Sequence, residues 1–220
     1  MEIQNNILKH YLRNCYFITG TAYAGKSTMC KMLAEKYNMI HCEENYNMDL
    51  ILSLVTEEQQ PSLNYFNSKK SWQQYVSRTP DEYESWYNET SREVTDFEVA
   101  ELIKLSANDR VIVDTNIPLD ILKEIAAYNH VAVMLSPQSM SVERFFDRDD
   151  EEKQFLLSEI KKCPNPEKTL ESFKECIARI NSQKYYDQFK NSGFFIVERD
   201  NTEADTREEN LQRLANHFGL

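Results

Sequence analysis

Basic residues are in short supply. Lys and Arg number 25 against 36 Asp and Glu, a formal net charge of −11. Duplex nucleic acid attracts proteins through basic faces, so no nucleic-acid partner is expected. That sum does not describe how charge is distributed, and a local cationic pocket for phosphates stays open. Glycine is scarcer still, with only four in the chain, at positions 20, 25, 193 and 219. No run of eighteen apolar residues occurs, so no membrane partner is expected. Residues 1–14 lack the apolar stretch and small-residue cleavage site of a secretory signal. The five cysteines (Cys15, Cys30, Cys42, Cys163 and Cys176) are odd in number, widely spaced and without a CxxC pair. Neither a disulfide framework nor a zinc knuckle follows from that arithmetic. Free thiols in a reducing compartment are the plain reading, and the expected location is the cytoplasm.

What is present suffices for a core. Hydrophobic residues make up 41% of the chain and charged residues 28%, which excludes a mainly disordered polypeptide. A chain of 220 residues points to one domain, 1–220, with an inserted subdomain. Four short apolar runs, Cys15–Thr19, Val111–Val113, Val131–Leu135 and Phe194–Val197, are continuous rather than alternating. Strands covered by helices on both sheet faces have that pattern. Met39–Cys42 is a weaker fifth candidate. Helical stripes lie between them: Met29, Met32, Leu33 and Tyr37; Leu170, Phe173, Ile177 and Ile180; Leu211, Leu214, Ala215 and Phe218. Thr79 and Pro80 read as an N-cap and first-turn proline opening a long helix, along which Val94, Phe97, Ala100 and Ile103 recur by threes. Strands alternating with helices predict an α/β fold with a parallel sheet. Residues 44–109 read as an insertion of three helices, and 138–190 as helices between the fourth and fifth strands.

One motif stands above the rest. Gly20-Thr21-Ala22-Tyr23-Ala24-Gly25-Lys26-Ser27-Thr28 satisfies GxxxxGK[ST] between a strand and a helix. Gly20 and Gly25 allow backbone angles that turn successive N–H groups inward around a phosphate, and the next helix adds the positive end of its dipole. In this pattern Lys26 reaches the β- and γ-phosphates, Ser27 ligates Mg²⁺ and Thr28 bonds the α-phosphate. Half of the chain's glycines fall in these nine residues. The loop points to a nucleotide, ATP or GTP, bound with Mg²⁺.

A phosphate loop in the first thirty residues, a helical insertion after the second strand and a lid region (138–165) after the fourth resemble the small P-loop kinases. That group includes nucleoside and nucleotide kinases, shikimate kinase and some antibiotic phosphotransferases. The resemblance implies a three-layer P-loop NTPase fold with a five-stranded sheet of order 2-3-1-4-5. It also implies transfer of the ATP γ-phosphoryl group to a small-molecule acceptor. Asp114, ending the Val111–Asp114 strand, resembles a Walker B carboxylate that holds Mg²⁺ beside Ser27; the other reading is a cap on the helix near Pro118. Thr115-Asn116 departs from the Asp-Arg-Ser type of many deoxynucleoside kinases. In nucleoside kinases a carboxylate after the second strand accepts the proton of the attacking hydroxyl, and either Glu43 or Glu44 fills that role. Arg144 and Arg148, four apart, match the lid arginines of such kinases; the local reading pairs them with Glu143, Asp147 or Glu152. Residues 41–110 carry fourteen Asp and Glu against six Lys and Arg, with nine aromatics from Tyr46 to Phe97. Acids with aromatics suit a neutral or cationic hydroxyl compound, nucleoside-like or amino-sugar-like, better than an anion. Arg78 is the candidate substrate contact in this arm, and Arg199, after the last strand, stacks on the base or lies in a surface turn. A nucleoside monophosphate kinase, and a nucleotide-binding regulator or slow ATPase without acceptor, remain alternatives. The sequence leaves the oligomeric state open, a homodimer included.

Overall fold

Residues 15–20 form the strand around which everything else is arranged. In the computed structural model, which describes residues 5–69, 71–143, 145, 151–199 and 205–220, β1 (Cys15–Gly20) pairs in parallel with β3 (Val111–Asp114) and β4 (Val131–Leu135). Outside these lie β2 (Ile40–Cys42), on β3, and β5 (Phe195–Glu198), on β4, giving the order β2-β3-β1-β4-β5. Register sets Ile18 opposite Asp114 and Gly20 opposite Met134. All five C-terminal strand ends therefore meet at one edge, where open parallel sheets bind ligands.

The apolar runs are continuous because both faces are covered. Tyr16, Ile18, Ile112 and Met134 pack against α2 (Lys26–Tyr37) and α12 (Arg207–Phe218) through Leu33, Leu211, Leu214 and Phe218. Cys15, Phe17, Val111, Val113 and Val131 face the other way, against Leu122 and Ile125 of α7 (Leu119–Ile125) and Leu12, beyond α1 (Asn5–Tyr11). Burying each such large side chain contributes about 1.5–3 kcal/mol, so the two faces together fix the strand register. Three layers, the strand order and the loop leaving β1 make this the P-loop NTPase fold.

Between β2 and β3 stand four helices where the sequence predicted three: α3 (Met48–Leu54), α4 (Pro61–Ser68), α5 (Trp72–Val76) and α6 (Pro80–Leu105). Pro61 at a first-turn position and the Ser71 side chain, which accepts from Gln74 N, start separate helices too short to show a clear period. The 26-residue α6 begins in a capping box: Thr79 Oγ1 accepts from Glu82 N at 3.4 Å, and Glu82 Oε2 accepts from Thr79 N at 2.8 Å.

Its buried face differs from the predicted stripe. Tyr83, Thr95, Glu98 and Leu102 are buried, whereas Ala100 is exposed. A strict spacing of three drifts by about 60° per step around a helix of 3.6 residues per turn. The 94-97-100-103 series therefore wanders: Val94 and Phe97 pack on Ile51 and Leu63, and Ile103 on the sheet core.

After β4 come α8 (Gln138–Glu143), α9 (Glu151–Lys161), α10 (Pro166–Ile180) and α11 (Gln183–Lys190). Helices α9 and α10 close on α5 and α6 through Ile160, Phe173 and Ile177, packed with Tyr75 and Tyr83. Among the described residues no helix is long and apolar enough to cross a membrane.

Candidate functional site

The loop between β1 and α2 has the shape its glycines were expected to give. Gly20 has φ +132°, and a Cβ there would stand 1.9 Å from the Met134 carbonyl oxygen, so β4 and the loop leave room for no side chain. Tyr23 (φ 66°) and Gly25 (φ 93°) take left-handed angles, and Gly25 starts α2 without a side-chain cap. The first N–H groups of α2 are thus left for an anion.

Distant parts of the chain hold the loop in place. Thr21 N donates to Met134 O (3.0 Å), Ser136 N to Thr21 Oγ1 (2.8 Å) and Ser136 Oγ to Ala22 O (2.6 Å). Arg199 Nη1 donates to Tyr23 O (3.3 Å). Lys26 Nζ lies 3.4 Å from Thr21 O, folded across the loop. Ala24 is buried beneath the loop against the core, and Thr28 lines the cleft.

At the mouth of this cradle Ser27 Oγ donates to Asp114 Oδ2 at 2.5 Å. Asp114 is 2% exposed, and its Oδ1 is buried without a hydrogen-bond partner. It does not cap α7, whose N-cap Pro118 has no side-chain cap bond. Burial raises its carboxyl pKa, against the opposing influence of Lys26 and the Ser27 hydrogen bond, and the Glu44 charge raises it further. A carboxylate costly to ionise, with one oxygen unsatisfied and a hydroxyl beside it, fits a divalent cation: such an ion offsets the desolvation and takes the free lone pairs. Ser27 and Asp114 are the residues that would hold Mg²⁺ here.

The cleft above the sheet edge has two lobes. One, of about 1020 Å³, contains the phosphate loop and the side chains of Lys26, Arg92, Lys123 and Lys153. The other, of about 710 Å³, is walled by aromatics, among them Trp72, Tyr83, Trp86, Tyr87 and Phe155. Its polar lining includes Glu44, Asp49, Glu98, Asp114, Glu151 and Glu152, and among the described residues no Lys, Arg or His lines it. Glu44 and Asn116 border both lobes, and Asn116 Nδ2 donates to Glu44 Oε1 at 2.7 Å. Of the two glutamates after β2, Glu44 is thus the one brought to the cleft. Glu43 lines neither lobe and stands exposed, 3.9 Å from His41 Nδ1.

Arg78 lines neither lobe. Its guanidinium lies over the rings of Tyr65 (4.0 Å), Trp86 (4.4 Å) and Tyr75 (5.2 Å), bracing the aromatic wall. Arg144 and Arg148 lie outside the described residues.

Two groups at the site escaped the sequence reading. Arg92 of α6 lines the phosphate lobe, held by Asp120 at 2.9 Å. Glu98 lines the aromatic lobe, buried on α6, with burial and the charges of Glu44 and Glu101 pushing its carboxyl up to about 7. Its signal was present: Glu98 is four residues from both Val94 and Leu102, an acid on an apolar face.

No protein-family model matches the chain, and comparison with curated proteins gives no match. Among solved structures the chain is similar to a shikimate kinase from Bacteroides thetaiotaomicron. The two share 15% sequence identity with a TM-score of 0.43, over 94% of this chain and 98% of that one.

Proposed function

We propose that the protein is an ATP- and Mg²⁺-dependent phosphotransferase acting on a hydroxyl of a small molecule, nucleoside-like or amino-sugar-like. One observation carries this reading: the Ser27–Asp114 pair stands where a phosphate cradle opens onto a second lobe of different chemistry. A plain nucleotide switch has no use for an aromatic cavity of about 710 Å³ joined to its phosphate site.

The roles follow from chemistry. Backbone N–H groups of residues 21–28 and Lys26 bind the donor phosphates. Ser27 and Asp114 would hold the cation, which would supply positive charge to offset that of the donor phosphates. Glu44, oriented by Asn116, accepts the proton of the acceptor hydroxyl as that oxygen bonds to the γ-phosphorus. The bond from γ-phosphorus to the β–γ bridging oxygen breaks, leaving ADP and a phosphate monoester. Positioning and charge stabilisation carry most of the rate in such transfers.

The five cysteines, all buried and free, suit a reducing compartment, and we place the activity in the cytoplasm.

The test is ADP release with Mg·ATP across a panel of nucleosides, amino sugars and nucleotides. Wild type should require both the cation and a hydroxyl compound, and Lys26→Ala should lose roughly two orders of magnitude or more of turnover while staying folded by circular dichroism. ATP loss indifferent to every added hydroxyl compound favours the slow ATPase, and full activity in Lys26→Ala defeats the scheme.

A further inference from the structure

Three side-chain oxygens lining the aromatic lobe, Thr90 Oγ1, Glu98 Oε2 and Asp114 Oδ1, are buried without a hydrogen-bond partner. Asp114 is accounted for by the cation. Glu98 is not: it is 7% exposed, and among the described residues no group of three or more His, Cys, Asp and Glu comes together as a metal site. A buried polar group without a partner costs about 1–3 kcal/mol, and a charged one more. The surroundings raise that cost. Glu44 and Glu101 face Glu98 with like charge, Cys42 and Tyr46 are titratable neighbours, and among the described residues no Lys, Arg or His lines the lobe.

We propose that the lobe takes a hydroxylated amine, whose ammonium group binds the Glu98 carboxylate and so fixes which hydroxyl is presented to Glu44. This rests on the phosphotransfer reading and narrows its acceptor class. An ammonium satisfies the orphaned oxygen and screens Glu98 from Glu44 and Glu101, which a neutral hydroxyl does not. Several of the rings in the wall are already engaged by cations. Trp86 and Tyr75 already lie under Arg78, and Trp72 under Lys69 at 4.5 Å. Those rings supply apolar walls for the carbon skeleton, while Thr90 Oγ1 offers one more polar contact. Burial pushes the Glu98 carboxyl up to about 7, and a cation beside it favours the ionised form.

The experiment uses matched pairs: glucosamine with N-acetylglucosamine, and ethanolamine and 2-amino-1,3-propanediol with their N-acetyl forms. Binding is measured by calorimetry on the full chain loaded with a non-hydrolysable ATP analogue and Mg²⁺, and turnover by ADP release. Wild type should bind at least one amine about tenfold or more tighter than its acetamide. Glu98→Gln should lose that preference while binding the ATP analogue as wild type does, which also reports that the variant is folded. If no amine is preferred over its acetamide, or if the preference survives in Glu98→Gln, the proposal is overturned. The two readings fail separately. Stimulation of ADP release by neutral nucleosides alone keeps phosphotransfer and removes the amine. Amine binding without stimulated ADP release keeps the site and removes the transfer.

Discussion

Glu98 is a buried acid whose ionisation costs stability. Its carboxyl titrates near 7 in the folded chain against an ordinary value of 4.5, with burial the main cause. A raised carboxyl means that the folded state binds more protons than the unfolded one between those values. Stability therefore falls as pH rises from about 4.5 through 7 and then levels off. Glu98→Gln removes that loss. Its unfolding free energy relative to wild type should climb across this window, to a plateau gain of up to roughly 3 kcal/mol; a difference independent of pH would show that the carboxyl is not strained. Legibility at this scale was uneven. The phosphate loop was plain because its chemistry needs fixed residue types at fixed spacing. The choice between Glu43 and Glu44 was not, since adjacent residues leaving a strand diverge and only tertiary placement selects one. Arg78 attracted notice as a cation near a helix start, but cations also stack on aromatic rings, and no spacing distinguishes the two uses.

Among the elements, α6 matters most because it belongs to two cores. Tyr83 and Trp86 near its start pack in the arm, Leu102 near its end packs under the sheet, and Glu98 lies between. Its beginning was readable from Thr79, Pro80 and Glu82, whose reciprocal hydrogen bonds are local. Thr79→Ala should cost about 1 kcal/mol in a urea denaturation midpoint series; an unchanged midpoint would mean that tertiary packing alone fixes the helix start. Its inner face was misread because a stripe counted by threes ignores rotation, and because the buried positions include Thr95 and Glu98. The strands were legible to within a residue at their ends, since continuous apolar runs have few other uses in a chain this charged. The short α5 left no periodic trace.

For the molecule as a whole, order in the sheet followed from the resemblance carried by one nine-residue motif, and the observed sequence of strands agrees with it. What the sequence withheld was the division of the cleft into a lobe that holds the loop with Lys26, Arg92, Lys123 and Lys153 and an aromatic lobe with acids, because the walls come from α3, α5, α6, α9 and the segments after β2 and β3, far apart along the chain. Ligand linkage gives a global readout. An ATP analogue with Mg²⁺ at about 100 times its dissociation constant adds about 2.7 kcal/mol, which for a chain of this size is a rise in melting temperature of roughly 5–10 °C. Lys26→Ala should abolish most of that rise, and the same rise in the variant would place the nucleotide elsewhere.

The fastening of the phosphate loop carries a last implication. Tyr23 is tied to Arg199 across 176 positions, and Thr21 and Ala22 to Ser136. During synthesis these partners leave the ribosome long after the loop does, at about 5–20 residues per second. For several seconds or more the nascent chain carries the complete motif without the clasp that shapes it, so the loop takes its final form only after β5 has been made.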